Sequence, residues 1–421
     1  MNLEEEIQKN KEIRKEILPI MYSYKDKRDN VITEEEKKIL TEELRDIKKR
    51  AIDNIEEIKK ETIKNLEKNN IKIIEVKDKK EAEKVLKEII GEEKTIIKSK
   101  SNTSNEIELE KILKDKELIE TDLGDFLVKL CDEKDLHPVL PAIHLTPEKI
   151  VKVIKEKLGE EVKPTPEDIT SFVRTYLREK IFKSKIGITG ANVISKEGSI
   201  FILENEGNIS LASRIPDKHI IISSFDKIVE SREDALKITR AAAIFGTGQE
   251  YTVYVNIISG PSKTADIQNK LILGAQGTKE VYLILLDNNR SKILNSKFKE
   301  ILYCINCGAC VNFCPVYHQI FTLYGSDKFP GSKGVICSYF DKGSKKTFEN
   351  GGFYCTSCKM CKQNCPMGID LSEMMKELRK FLAGEGREPE NIEKMLENVK
   401  KYGNPFGEID EDKIPDKLYC C

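Results

Sequence analysis

Two cysteine runs of identical spacing limit what this chain can fold into more than any other feature. Cys304, Cys307, Cys310 and Cys314, followed by Pro315, read CxxCxxCxxxCP, and Cys355, Cys358, Cys361 and Cys365, followed by Pro366, repeat the pattern 51 residues later. Three cysteines at two-residue gaps wrap a cubane 4Fe-4S cluster in a tight loop whose backbone N–H groups face the sulfurs. In two-cluster ferredoxins the cysteine before proline ligates the other cluster. The pattern therefore assigns Cys304, Cys307, Cys310 and Cys365 to one 4Fe-4S cluster, and Cys355, Cys358, Cys361 and Cys314 to the second. Zinc is the competing reading, but a structural zinc site takes two cysteine pairs per metal and has no use for a third in-phase cysteine followed by proline. Forty residues separate Cys314 from Cys355, too many for a β-hairpin ferredoxin. With a helical pattern over Leu371 to Leu382, they predict a helical two-cluster domain.

The remaining four of the 12 cysteines carry less. Cys131 reads as a small buried hydrophobe among Leu127, Val128 and Leu130, and Cys337, between the motifs, as a packed thiol. Cys420 and Cys421 sit on what reads as a free tail.

The rest of the composition narrows the class. Lys and Arg total 71 and Asp and Glu total 72 among 421 residues, a balance that leaves no field to recruit nucleic acid or an acidic membrane. The charged N-terminal stretch has no signal-peptide core, and no apolar run approaches a membrane span. A soluble, cytoplasmic protein is expected, in which cysteines serve as metal ligands rather than disulfides.

Apolar residues at Leu40, Leu44, Ile47, Ala51, Ile55, Ile58 and Leu66 predict one long amphipathic helix from Thr33 to Asn69, started by a Thr33/Glu36 capping box, that packs or docks on the rest of the chain. Beyond it, short apolar runs alternate with helical stretches: Ile71 to Val76, Thr95 to Ile97, Leu118 to Glu120, Val139 to Ala142, Ile186 to Ile188, Ile220 to Ser223 and Val281 to Leu286. Such alternation predicts an α/β fold, a three-layer domain around a largely parallel sheet. Ser195 to Glu206 adds a hairpin with its turn at Glu197-Gly198. The resulting division is an N-terminal helical region (1–69), an α/β domain (70–295), the two-cluster domain (296–385) and a C-terminal tail (386–421).

Ordered segments through the first two thirds carry a family likeness: IIKSKSNTSNEIELE at Ile96 to Glu110, ETDLGDFL at Glu120 to Leu127, PAIH at Pro141 to His144, GITGAN at Gly187 to Asn192, ENEGN at Glu204 to Asn208 and SGPSKTADI at Ser259 to Ile267. Together with CINCGACVNFCPVY at Cys304 to Tyr317, they make the chain resemble the iron-sulfur subunit of the bacterial lactate-utilisation complex, with its lactate-utilisation (LUD) domain. The resemblance implies the fold shared by coenzyme A transferases and sugar-phosphate isomerases. It also implies an electron-transfer role beside a CCG-type cysteine-rich redox protein and a second lactate-utilisation protein, in oxidation of lactate or another 2-hydroxy acid. The chain departs from the family in lacking its usual C-terminal extension. GNPFG at Gly403 to Gly407 looks like the linker that precedes CCG domains, with no such domain after it.

The α/β domain offers its own candidate site for a small anionic ligand. Lys98, Ser99, Lys100 and Ser101 at a strand end, and Ser259, Gly260, Ser262, Thr264 and Asp266 in SGPSKTAD, can present N–H, hydroxyl and ammonium groups, with Asp122 and Glu206 as acid or base. The alternative function is thus an anion-binding enzyme or redox sensor whose clusters regulate this domain. His144, His219 and His318 read as structural. Gly246 and Gly248 in FGTGQE fall short of a dinucleotide fingerprint, and no Walker A segment is present.

Overall fold

The computed structural model describes residues 3–133 and 141–409. Twelve strands occur among them: β1 Ile71–Val76, β2 Thr95–Lys98, β3 Glu117–Glu120, β4 Ile186–Thr189, β5 Val193–Ser195, β6 Ser199–Glu204, β7 Lys218–Ser224, β8 Ile228–Val229, β9 Tyr254–Ile258, β10 Lys263–Thr264, β11 Ile272–Leu273 and β12 Glu280–Leu286. Six of them form a wholly parallel sheet in the order β1-β12-β7-β4-β2-β3. Side-chain alternation along these strands feeds two cores. Ile220, Ile222, Ile284 and Leu286 face one layer, while Ile221, Leu283 and Leu285 face the other. The sheet is buried on both sides, as its near-continuous apolar strands require, and the three-layer α/β expectation holds.

Connections leave β2 toward β3 at one edge and leave β4 toward β7 in the opposite direction. Neighbouring strands β2 and β4 therefore flank a topological switch point, where a crevice opens beyond the carboxyl ends of the strands. The GITGAN run lies here, and its glycines serve close packing. A Cβ on Gly187 would stand 1.9 Å from the carbonyl oxygen of Ala212, and one on Gly190 would stand 2.5 Å from Ser101 Oγ.

The expected hairpin forms as antiparallel β5 and β6, with Ser195 opposite Ser199. The sequence did not reveal that it belongs to a second, four-stranded sheet, β8-β5-β6-β9. No strand forms at Val139 to Ala142 in its described part, since Pro141 to His144 is a turn. A proline, which lacks the ladder donor, begins it. Val139 and Leu140 lie outside the described residues, as do Cys420 and Cys421.

Thr33 starts its helix through the expected capping box, accepting from the Glu36 N–H while Glu36 accepts from the Thr33 N–H. The single long helix is instead two, Glu34–Asp53 and Ile55–Lys68, parted at Asn54. Asn54 turns its amide back onto the Arg50 carbonyl at 3.1 Å, the local competition that makes asparagine a helix breaker. The apolar stripe stays in phase across the break, so periodicity hides it.

These helices dock on the cysteine-rich region. Arg45 donates to the carbonyls of Met367 and Gly368, both at 3.2 Å, and from the preceding helix, Lys11–Asp29, Arg28 donates to Asn364 Oδ1 at 2.9 Å. One apolar cluster runs from Ile17 and Leu44 through Phe201 to Tyr324 and Leu382. The helix predicted over Leu371 to Leu382 is present as Leu371–Gly384. In the region expected as tail, Glu390–Tyr402 is also helical, ended by Gly403 at positive φ, and Asn404 Oδ1 accepts from the N–H groups of Phe406 and Gly407. GNPFG thus forms a helix stop and an Asx turn. Among the described residues no helix is long and apolar enough to cross a membrane.

Candidate cluster sites and an adjoining cavity

The two cysteine motifs fold alike. In each, the residues two and four places after the first cysteine take positive φ: Asn306 (59°) and Gly308 (81°) in the first, Ser357 (57°) and Lys359 (62°) in the second. A side chain other than glycine in that region is strained, so its recurrence at matching positions points to a shape both loops must hold. The shape turns amides inward. The N–H of Asn306 lies 3.4 Å from Cys304 Sγ and the N–H of Ser357 lies 3.4 Å from Cys355 Sγ. The cysteines before proline are served in the same way. Cys314 caps the helix Pro315–Ile320 and takes the Tyr317 N–H at 3.5 Å, while Cys365 is approached by the amides of Ile369, Met367 and Gly368.

The thiols fall into two sets. Burial pushes Cys307 up to about 12 and Cys365 up to about 11, the former feeling Cys365 and Cys304 and the latter Cys304; burial and the same three neighbours raise Cys310 well above its ordinary value. Burial likewise pushes Cys314 up to about 11 and Cys361 up to about 12, with Cys355 and Cys358 adding to both. Cys314, Cys355, Cys358 and Cys361 line one cavity of about 410 Å³, with Cys310 of the first set also on its wall. Crowded, half-buried thiols resist ionisation until a cation shares them, and the inward amides offset thiolate charge. This donor set fits a 4Fe-4S cluster at each place. The short helices Ala309–Asn312 and Met360–Gln363 pack together and bring Cys361 within electrostatic reach of Cys310.

The sets differ in surroundings. Cys358 is exposed. Cys304 faces cations: burial alone would raise its thiol, but the ammoniums of Lys333 and Lys227 outweigh it and hold the group below its ordinary value. Behind them lies a buried ionic network. Arg290 spans Glu106 at 2.7 Å and Asp226 at 2.5 Å, and Lys48 donates to the Asp226 carbonyl. Burial lowers Lys48 to about 8, against the pull of Asp226. Cys337 sits beside this network and is pushed up to about 11 by burial. The network escaped sequence reading because its members are scattered through a chain that is 34% charged. The charged pair Asp226 and Lys227, soon after the apolar run of β7, was the available signal.

A second cavity, about 1330 Å³ and open to solvent, lies at the β2/β4 switch point. Of the residues expected to hold an anion, Lys100, Ser101, Asp122 and Glu206 line it. The others do not converge there. The Lys98 ammonium is buried in an ion pair with Glu120, and Ser99 is buried beside it. Ser259 bonds Ser199 at 2.8 Å, Gly260 packs on the Asn69 carbonyl, Ser262 accepts from the Gly277 N–H at 3.2 Å, and Thr264 donates to Asp266 at 2.8 Å. SGPSKTAD therefore spends its polar groups on Ser199, Gly277 and its own Asp266, and it contains β10. Asp122 caps the helix Leu123–Leu130 by accepting from the Asp125 N–H at 3.0 Å. Glu206 accepts from the Leu123 N–H at 3.1 Å. Its side chain reaches solvent, yet the surrounding protein first, and Asp122 second, push its carboxyl up to about 7. Unforeseen from sequence, Lys227, Ile305 and Asn306 also line the cavity, so its wall is shared with the first cysteine turn.

His219 and His318 have structural partners. His219 Nε2 lies 2.8 Å from Thr189 Oγ1 inside the sheet, and His318 Nε2 lies 3.0 Å from the Asn312 carbonyl. Gly246, in FGTGQE, lets its helix approach the Cys307 carbonyl, which a Cβ would meet at 3.3 Å.

Comparison with known proteins agrees with this arrangement. The LUD domain matches residues 59–286 and the 4Fe-4S dicluster domain matches residues 300–369. Lactate utilization protein B of Bacillus pumilus (strain SAFR-032) is 35% identical over 320 residues, which cover 74% of this chain and 66% of that protein. The "Uncharacterized electron transport protein YkgF" of Escherichia coli (strain K12) is 32% identical over 317 residues, 75% of this chain and 62% of that protein. The chain thus spans just under two thirds of the length of these curated relatives. A solved structure of a DUF162 family protein from Deinococcus radiodurans aligns with a TM-score of 0.31 at 13% identity, covering 55% of this chain and 98% of that one.

Proposed function

The chain belongs to the LUD-domain family and carries a 4Fe-4S dicluster domain, and on that premise we propose that it is the electron-transfer subunit of a complex oxidising lactate or another 2-hydroxy acid. Its partners are a CCG-type cysteine-rich redox protein and a second lactate-utilisation protein. The observation that carries this reading is the pairing of two four-cysteine sets, one beside buried cations and a cavity, the other with Cys358 at the surface. Bound there, 4Fe-4S clusters supply one-electron transfer at potentials set by burial, charge and hydrogen bonds. The chain contributes inward amides, the Lys227 and Lys333 charges beside Cys304, and an exposed face at the second set where a redox partner can approach. A 4Fe-4S cluster passes one electron at a time, so the two-electron step on the substrate is assigned to the complex rather than to this chain alone.

The test is anaerobic iron and acid-labile sulfide analysis with EPR-monitored reductive titration, followed by affinity purification of the tagged chain. About eight irons per chain, two reversibly reducible signals and a co-purifying CCG-type protein support the proposal. Zinc in place of iron, or signals inert to every reductant, overturns it.

A further inference from the structure

A sheet edge and a helix face away from the cysteine sets are left without partners. β9 borders the four-stranded sheet and pairs with β6 alone. The Asn192 N–H donates to the Phe201 carbonyl at 2.9 Å, so Phe201 turns its backbone toward β5. Ile257 stands directly opposite Phe201 in β9, and the backbone groups of such a pair face away from the boundary they share. The N–H and C=O of Ile257, and by alternation those of Val255, therefore point outward from the open edge. Edge strands are ordinarily protected against pairing by charge or by brevity. The outer strands of the parallel sheet follow this rule, β1 with Lys72 and Glu75 and β3 with Glu117 and Glu120, while β8 has two residues, both buried. β9 breaks it, because no charged residue occurs in the twelve from Tyr251 to Ser262, in a chain that is 34% charged. Tyr254 is 50% and Ile257 51% exposed, so no other part of the chain covers the strand.

The strand also leads to unspent charge. Tyr254 lines a groove of about 1250 Å³ together with buried Val173 and Leu177 and exposed Arg174 and Arg178, which stand one turn apart on the helix Pro166–Lys183. Neither arginine has an ion pair or a hydrogen bond among the described residues. Glu206, the one carboxylate on the groove wall, is held by the Leu123 N–H. A strand laid antiparallel on β9 runs from the Ile258 end toward Tyr254, so the residues that follow it enter the groove beside the arginines. A second copy of this chain fits poorly. β9 laid on β9 would carry Ser259 to Lys263 of that copy to this place, a segment with a lysine and no carboxylate.

We propose that β9 and this groove together dock a partner protein by β-strand addition, the partner supplying an apolar extended segment followed by carboxylates that pair with Arg174 and Arg178. Backbone hydrogen bonds to Val255 and Ile257 supply affinity, and the two guanidinium groups fix the direction of the added strand and select an acidic sequence after it. The inference stands apart from the electron-transfer reading, since neither cysteine set contributes to the groove.

The probe is a synthetic peptide of alternating threonine and valine that ends in glutamates, with a lysine-ended peptide as control. Each is titrated by fluorescence anisotropy into the full, cluster-loaded chain under anaerobic conditions. The expected result is binding at least tenfold tighter for the glutamate-ended peptide, with slowed hydrogen exchange at the Val255 and Ile257 amides. Arg174→Glu combined with Arg178→Glu, both at exposed positions, should invert the preference. Ile257→Lys, also at an exposed position, places on the edge the charge that other edge strands carry, and should weaken both peptides at least tenfold while leaving the EPR signals unchanged. Equal binding of the two peptides, binding that leaves exchange at Val255 and Ile257 unaltered, or no binding overturns the proposal. So does a dimer in sedimentation equilibrium that Ile257→Lys dissociates, which assigns the edge to a second copy. Each of these failures leaves iron content and the EPR titration, and with them the cluster reading, as they are.

Discussion

Lys333 donates its ammonium to the side-chain oxygen of Asn306, the residue that holds the first cysteine turn in its left-handed bend. One cation thereby braces the loop and sets positive charge beside Cys304. Lys333→Gln should keep the hydrogen bond and remove the charge. The expected outcome is a lower potential for the first cluster, by on the order of 60 mV, the value of a tenfold change in a one-electron equilibrium. The second signal should not move in an EPR-monitored titration.

The crossed placement of the last cysteines gives a prediction that an uncrossed arrangement cannot share. Cys365→Ser should disturb the signal of the cluster held by Cys304, Cys307 and Cys310, and Cys314→Ser the signal of the other. Cys337→Ser should alter neither line shape, since that thiol faces the Arg290 network. EPR of the three variants with iron counts decides between the two arrangements.

Arg290 joins Glu106, which precedes β3, to Asp226, which follows β7. Arg290→Ala leaves two buried carboxylates without their cation and should cost about 3–5 kcal/mol in anaerobic denaturant unfolding. Burial opposes ionisation of Asp226, but Arg290, Lys227 and Lys48 hold its carboxyl far below the ordinary range. A lowered folded value means that this contribution is present above the unfolded value and is lost as pH falls through the folded one.

Glu206 has the opposite sign. Its carboxyl is raised from 4.5 to about 7, so the stability it contributes is fully present below 4.5 and lost as pH rises through about 7. Glu206→Gln should therefore gain on wild type at pH 8 and not at pH 4.5. Solvent at the cavity mouth screens the carboxylate, which limits the gain to about 1 kcal/mol. Thermal unfolding at the two pH values is the measurement, and an equal effect at both would contradict the assignment.

A methyl group on Gly187 would collide with the Ala212 carbonyl at 1.9 Å, where backbone rather than a flexible side chain must give way. Gly187→Ala should destabilise the protein by about 1–3 kcal/mol. Gly190→Ala presses on Ser101 Oγ instead, a side-chain atom that a rotamer change can move, so it should cost less than Gly187→Ala in the same unfolding measurement.

What the sequence disclosed, it disclosed through local patterns. The strands appeared because apolar runs of β-branched residues are their own signal, and the cysteine turns because their spacing is short and repeated. The break at Asn54 stayed hidden because Ile55 and Ile58 continue the stripe of Leu44, Ile47 and Ala51. The anion site was half legible for a related reason. Lys100, Asp122 and Glu206 follow strands and could be placed at strand ends, whereas SGPSKTAD has the right residue types on an arm whose groups are taken up by Ser199, Gly277 and Asp266. Nothing local marks Lys227, Lys333 or Asn306 as neighbours. Their meeting is a product of the sheet order and of the docking of the cysteine-rich region on it.

A crossed assignment, in which Cys365 serves the first motif and Cys314 the second, would also bear on biosynthesis. Cys304, Cys307 and Cys310 leave the ribosome well before Cys365, so on that assignment the first motif waits with three thiols while the second is made. Iron delivery to either motif is then a late event, coupled to closure of the whole cysteine-rich region. A chain cut short between Cys314 and Cys355 would lack the means to mature even the half it contains.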